Sequence, residues 1–284
     1  MVTFSDIQKT LSEIGILPTD TVIVHSSLKS FGRVEGGADT VIDAFADYLK
    51  DGNLVFPALR SRDFFTAYET WDINTTPSDV GLISETFRLR QGVLRSDQET
   101  HSVCAIGKDA AYITGGHKDG RERVGIFGDT PFSYSSPWQK MYDMRGKVVM
   151  IGVPLVYNTF KHFAEYKMMT DILDTLPEKE RSEARAQITD FEAHRRTSGD
   201  KDFWSKLVWP LHDGEKAQAR LEELGMVKAA YAGESRFITI EIYPFCEWMY
   251  DELLFRPREW VGKRTAEWIE AYGEALRKQR SENN

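Results

Sequence analysis

The chain has only two cysteines, Cys104 and Cys246, among its 284 residues. They lie far apart and show neither metal-type pairing nor a disulfide framework, which fits a reducing compartment. No apolar run approaches the ~18 residues that a membrane-spanning helix requires. The opening Met1-Val2-Thr3-Phe4-Ser5-Asp6 lacks the basic segment and apolar stretch of an export signal, so a cytoplasmic protein without membrane association is expected. Basic excess is also missing. Lys and Arg number 36 against 44 Asp and Glu, a net charge of -8, which argues against nucleic-acid binding because displacing phosphate counterions needs a dense basic surface. An acidic surface attracts cations instead, amines included. No linker-like segment or internal repeat divides the chain, and 41% hydrophobic residues provide for a sizeable core.

Helical and strand periods alternate through the first 170 residues. Phe4, Ile7, Leu11 and Ile14 recur at helical spacing, as do Val41, Ile42, Phe45 and Leu49. Thr21–His25, Leu54–Phe56, Ser102–Ile106 and Val148–Ile151 read as strands. Ser78 is a candidate cap for a helix carrying Leu82, Ile83 and Phe87, and another helix runs near Trp138 to Met144. Short apolar strands separated by helices predict an α/β fold, a three-layer α/β/α arrangement with a largely parallel central sheet. The expected organisation is a single domain over 1–284. It comprises an α/β core (1–170), a charge-rich helical insertion (171–225) that shapes a binding site, and a β-hairpin with C-terminal helices (226–284). The hairpin turns at Gly233-Glu234. Trp204, Trp209, Trp248, Trp260 and Trp268 are expected in the core or at contacts between copies of a homo-oligomer, with a wall for a sugar ring as the alternative.

The most informative stretch is Asn158-Thr159-Phe160-Lys161-His162-Phe163-Ala164-Glu165, which follows the apolar run Val148–Val153. Asn158 or Thr159 suits an N-cap, since a short side-chain oxygen can accept from a first-turn N–H that has no helical partner. His162 then lies in the opening turn, where the positive end of the helix dipole disfavours imidazolium and leaves a neutral base. Glu165, three residues on, is placed to orient the ring. The same octet equally suits an ordinary surface helix start. Its position at a strand's carboxyl end, where open α/β sheets bind ligands, favours function.

Two loops offer anion sites. His25–Asp39 leaves a strand, passes Gly36-Gly37 and opens a helix, so that free N–H groups, hydroxyls and the helix dipole converge. Gly92–Ser102 offers Arg95, whose guanidinium can grip a phosphate through two parallel bonds. A plain strand-to-helix turn and a surface arginine are the competing readings. His101 and His117 lie near the presumed site, although a lone histidine beside a strand is more often structural. Cys104, inside an apolar strand, is expected to be inert.

These segments in order, namely His25-Ser26-Ser27-Leu28 with Val34–Val41, Thr76–Gly81 with Glu85–Arg88, Gly92–Ser96, and Asn158-Thr159 with His162 and Glu165, resemble the aminoglycoside 3-N-acetyltransferase family. The resemblance covers residues 1–170 well and finds a weaker echo at Gly233–Phe237. It implies an α/β/α enzyme that moves acetyl from acetyl-CoA to an amine of an aminoglycoside, amino sugar or related small molecule, without a metal. It assigns His162 as general base, with Glu165, Asn158 and Thr159 beside it. It also implies that Ser27, Lys29, Ser30, Val34, Gly36, Gly37, Arg95, Ser96 and Ser102 line the coenzyme channel, with Ser27 or a nearby N–H steadying the thioester oxyanion. One departure stands out: after Arg95-Ser96 the family commonly has His-Pro, whereas this chain has Gln98-Glu99. That carboxylate either points away from the coenzyme or meets the acceptor. Two further classes stay open: a metal-dependent hydrolase with His162 and Glu165 as ligands beside His25 or His101, and a non-catalytic binder on the same scaffold.

Overall fold

The computed structural model describes residues 1–60, 67–188 and 206–283. Its frame is a seven-stranded sheet of order β3-β4-β2-β1-β5-β7-β6, built from Thr21–Ser26 (β1), Asn53–Pro57 (β2), Leu94–Arg95 (β3), Val103–Gly107 (β4), Lys147–Ile151 (β5), Lys228–Ala232 (β6) and Ser235–Glu241 (β7). The three central strands β2, β1 and β5 are parallel. The flanking pairs β2–β4, β3–β4, β5–β7 and β6–β7 are antiparallel. The sheet is thus parallel at its centre and antiparallel at both flanks. The flanks escape a hydrophobicity pattern because strands buried on both faces read alike in either direction.

Alternate residues of each central strand enter separate cores. Val22 and Val24 of β1, Leu54 and Phe56 of β2, and Val149 and Ile151 of β5 pack with Ile7, Leu11, Val41 and Phe45 of the helices Phe4–Glu13 and Ala38–Tyr48. Ile23, Val55, Val148 and Met150 pack on the other side with Trp138, Phe163 and Phe245, from the helices Pro137–Asp143, Phe160–Asp174 and Ile242–Phe255. These are the expected three layers. The two-residue turn Gly233-Glu234 closes the β6–β7 hairpin, with Gly233 at φ +60°, the positive φ that primed hairpin turns require.

Two helix entries carry side-chain caps, and a third departs from expectation. Thr3 and Asp6 form a reciprocal capping box, and Ser136 accepts from the Gln139 N–H at 3.2 Å. Ser78, by contrast, does not cap Leu82–Arg88. Gly81 holds that position, and the Glu85 carboxylate reaches back to the Ser78 N–H at 2.7 Å. Of the tryptophans, Trp209, Trp260 and Trp268 are buried, and Trp204 lies outside the described residues. No described helix is long and apolar enough to cross a membrane.

Candidate active site

β1 has β2 on one side and β5 on the other, and the chain leaves these parallel strands at the same edge. That is the topological switch point where open α/β sheets form a crevice. A cavity of about 360 Å³ lies there, lined by His25 and Ser26 from β1, Pro57 and Leu59 from β2 and its exit, Asp79, Val80 and His101, and Val153, Val156, Tyr157, Asn158, Thr159, Lys161 and His162 from the β5 exit and the following helix.

The helix Phe160–Asp174 opens as the octet suggests, but the capping is divided. Asn158 has extended backbone, and its Oδ1 accepts the Phe160 N–H at 3.1 Å. Thr159 is already helical and makes no side-chain cap. His162 Nδ1–H donates to Glu165 Oε2 at 2.7 Å, which fixes the tautomer and leaves Nε2 as a free acceptor on the cavity wall. The second carboxylate oxygen is also engaged: His212 Nδ1–H donates to Glu165 Oε1 at 3.1 Å. Glu165 is fully buried. Burial opposes its ionisation, yet the two histidines outweigh this and hold its pKa below the ordinary value. For His162, burial is the largest influence and lowers the pKa, while Glu165 pulls the other way. Desolvation, rather than the helix dipole, is thus the principal cause. Either way, the imidazole is a free base at neutral pH.

Packing keeps the ring in place. Phe127 meets His162 edge to face at 5.2 Å. The Phe127 N–H donates to Tyr166 Oη at 2.9 Å, and its carbonyl accepts from Tyr68 Oη at 2.7 Å. Tyr166 follows Glu165 on the same helix, so one helix supplies the base, its orienting carboxylate and the anchor of the aromatic wall. Gly125 makes this possible: a Cβ there would lie 1.9 Å from the Tyr166 ring.

His212 escaped the sequence reading because it is 47 residues from Glu165 and sits in a segment that reads only as helix entry before Asp213. No spacing rule connects the two. His101 lines the cavity with its Nδ1 bonded to Thr100 Oγ1 at 2.8 Å, and burial holds its pKa well below the ordinary value. His117 is structural. Its Nε2–H must donate to the Pro131 carbonyl at 2.9 Å, so Nδ1 accepts from Ser96 Oγ at 2.9 Å. Cys104 and Cys246 are free and buried, and burial pushes the Cys104 thiol up to about 12.

Of the residues expected to line a coenzyme channel, none borders the cavity itself. They fall into two groups. Ser27, Lys29, Ser30, Val34, Gly36 and Gly37 form the loop that continues directly from the cavity residue Ser26. Ser30 Oγ donates to the Ser27 carbonyl and pairs with Ser235 Oγ, each at 2.7 Å, while Val2 and Val34 pair through the backbone. Gly36 and Gly37 have φ of +70° and +66°, and Gly37 starts the helix Ala38–Tyr48 without a side-chain cap. Its first N–H groups therefore face outward, as in an anion site.

Arg95, Ser96 and Ser102 bond within the chain. The Arg95 guanidinium donates to Ser102 Oγ at 3.2 Å, the Ile73 carbonyl at 3.3 Å, the Ala58 carbonyl at 2.9 Å and the Thr76 carbonyl, and it stacks on Trp71 at 4.5 Å. Ser96 Oγ accepts the Val103 N–H at 2.9 Å besides donating to His117. Ser102 Oγ donates to the Ala58 carbonyl at 2.9 Å. These groups tie the segments at 58 and 73–76 together, and Arg95 also lines a separate surface cavity with Ile73, Asn74 and Arg88. Glu99 turns to Lys118 Nζ at 2.9 Å, which answers its open placement.

The metal reading finds no support: no three His, Cys, Asp or Glu side chains among the described residues converge as ligands, and both Glu165 oxygens are already bonded. What remains is an α/β protein with an oriented, neutral histidine at the carboxyl ends of parallel strands, a site suited to taking a proton from a bound nucleophile.

Comparison with known proteins narrows that class. The model of the aminoglycoside 3-N-acetyltransferase family matches residues 23–253, and the chain belongs to that family. Aminoglycoside N(3)-acetyltransferase VII of Streptomyces paromomycinus is 28% identical over 182 residues, covering 58% of this chain and 60% of that protein. The SPbeta prophage-derived aminoglycoside N(3')-acetyltransferase-like protein YokD of Bacillus subtilis (strain 168) is 31% identical over 192 residues, with 58% and 65% covered. The match thus spans less than two thirds of these relatives' lengths. Across nearly the whole chain the fold is shared with aminoglycoside acetyltransferase AAC(3)-IVa, at TM-score 0.66 and 21% identity over 96% of this chain and 97% of that one. It is likewise shared with AAC-IIIb crystallised with CoASH, at TM-score 0.63 and 18% identity over 92% and 98%.

Proposed function

We propose that this protein is an acetyl-CoA-dependent N-acetyltransferase acting on a small-molecule amine, with His162 as general base. The observation that carries this reading is the buried His162–Glu165–His212 array, which leaves His162 Nε2 bare on the cavity wall. An alkylammonium must lose a proton before its nitrogen can attack a thioester carbonyl. His162 Nε2 accepts that proton, Glu165 stabilises the imidazolium that forms, and His212 keeps the carboxylate aligned. The nitrogen–carbonyl bond forms and the carbon–sulfur bond breaks, and the nitrogen's second surplus proton passes to the departing sulfur, so that an amide and a free thiol are made. A positioned base of this kind contributes a factor of about 10²–10⁴.

The Ser27–Gly37 loop and the uncapped start of Ala38–Tyr48 fit the diphosphate of the acetyl donor, with backbone N–H groups and Lys29 as donors. Asn158 supports the helix start that presents His162. Ser27, or a backbone N–H near it, is the proposed donor to the thioester oxygen.

The test is direct: purified protein, acetyl-CoA and a panel of amines, with free thiol and acetylated product followed together. Amine-dependent thiol release by the wild type and its loss in His162→Ala are expected. Failure to bind acetyl-CoA in calorimetry would sink the reading.

A further inference from the structure

Lys161 stands beside the base in sequence and lines the same cavity. Its Nζ donates to the Val156 carbonyl at 2.6 Å and forms no ion pair with any described carboxylate. Three features make this an unfavourable place for a cation. Lys161 is the second residue of Phe160–Asp174, where the helix dipole is positive and disfavours a further positive charge. Burial pushes its pKa down, opposed by Glu165. Without a counter-ion, the partly buried ammonium regains only part of its lost hydration from the Val156 carbonyl. An anion in the cavity relieves all three.

Lys161 is the cation of the described lining. The other ionisable groups there are Asp79, Tyr157 and the histidines 25, 101 and 162. Burial holds His25 at about 3 and lowers the other two, so all three are neutral near pH 7.

We propose that the acceptor is a compact amine carrying an anionic group, phosphate or carboxylate, and that Lys161 recognises this group while the amine meets His162. This rests on the transferase reading above and goes beyond it in naming the acceptor's charge.

The test uses the intact protein with 2-amino-2-deoxyglucose, its 6-phosphate, the corresponding 6-carboxylate and a polyammonium aminoglycoside as acceptors. In the wild type, the phosphate or the carboxylate should exceed the parent amine at least tenfold in kcat/KM, and the better of the two identifies the anion. In Lys161→Met that advantage should collapse towards one, mainly through acceptor KM, whereas Lys161→Arg should keep most of it. Calorimetry of the same acceptors without acetyl-CoA gives the anion preference independently of transfer, and thermal melts check each variant's fold. Transfer that favours the parent or the polyammonium compound overturns the inference, as does an anion preference that survives in Lys161→Met. A rise confined to the KM for acetyl-CoA would assign Lys161 to the donor and also overturn it. Anion-selective, Lys161-dependent binding without transfer supports the inference and defeats the transferase reading alone.

Discussion

The opening turn of Phe160–Asp174 and the segment Arg95–Ser102 carry similar promise in one dimension: charged and hydroxyl groups beside an apolar strand. In three dimensions they diverge. At the helix, internal bonds take only one nitrogen of His162 and leave the other on a cavity. In the segment, the Arg95 guanidinium, Ser96 and Ser102 spend their bonding capacity on the chain itself. The lesson is that a reactive site is marked by the bonding capacity left over after folding. Residue type alone does not distinguish a phosphate-binding arginine from one that ties backbone carbonyls together.

The largest effect that sharpens this contrast is expected from His162→Ala. It should lower kcat about 10²–10⁴-fold, with about 1–3 kcal/mol of stability lost because Glu165 Oε2 loses its donor, as measured by thiol release and calorimetry. Glu165→Gln comes next. Gln has one acceptor oxygen for two Nδ1–H donors, so kcat should fall on the order of 10–100-fold, with about 1–3 kcal/mol of stability lost to the unsatisfied group. Because Glu165 raises the His162 pKa, its removal should also move the acid limb of kcat/KM to lower pH. An acid limb that stays in place would break the proposed coupling.

Arg95→Met probes the other region. Stability in urea should drop by about 2–3 kcal/mol, since buried carbonyls lose a charged donor, while the KM for acetyl-CoA stays within about threefold. A tenfold rise in that KM at unchanged stability would erase the contrast and return Arg95 to the coenzyme. The smallest effect concerns His117, which burial holds at about 3. Below the unfolded-state value near 6.5 the unfolded chain takes up a proton that the folded chain refuses, so stability falls as pH falls, by about 1.4 kcal/mol per unit for each such histidine. His117→Asn should flatten the urea midpoint's dependence between pH 6.5 and 5 by one histidine's share. An unchanged slope would mean that His117 titrates normally.

Much of the architecture was legible in the sequence. The helix over Phe4–Glu13, the strands β1, β2, β4 and β5, and the Gly233-Glu234 hairpin follow from local period and turn chemistry. The direction of β4 and β7 does not, because an apolar pentapeptide has the same pattern in a parallel or an antiparallel pair. At the site, the i,i+3 spacing of His162 and Glu165 is a local property of a helix, so their bond could be anticipated. The Glu165–His212 bond joins distant segments through the tertiary fold, and no local rule encodes it. Lys161 stood in plain view within the octet. Its meaning depended on which wall it lined and on its forming no ion pair with a described carboxylate.

The sequence by itself determined the elements and the base–carboxylate pair, because helix and strand periodicity and i,i+3 geometry act within a few residues. The tertiary structure alone decided which polar groups remained unspent. Burial, more than the helix end, sets the His162 pKa; distant carbonyls consume Arg95; and the cavity that Lys161 and His162 share exists only where β1, β2 and β5 end together. These are properties of what surrounds a side chain, and that environment is assembled from parts of the chain far apart in sequence.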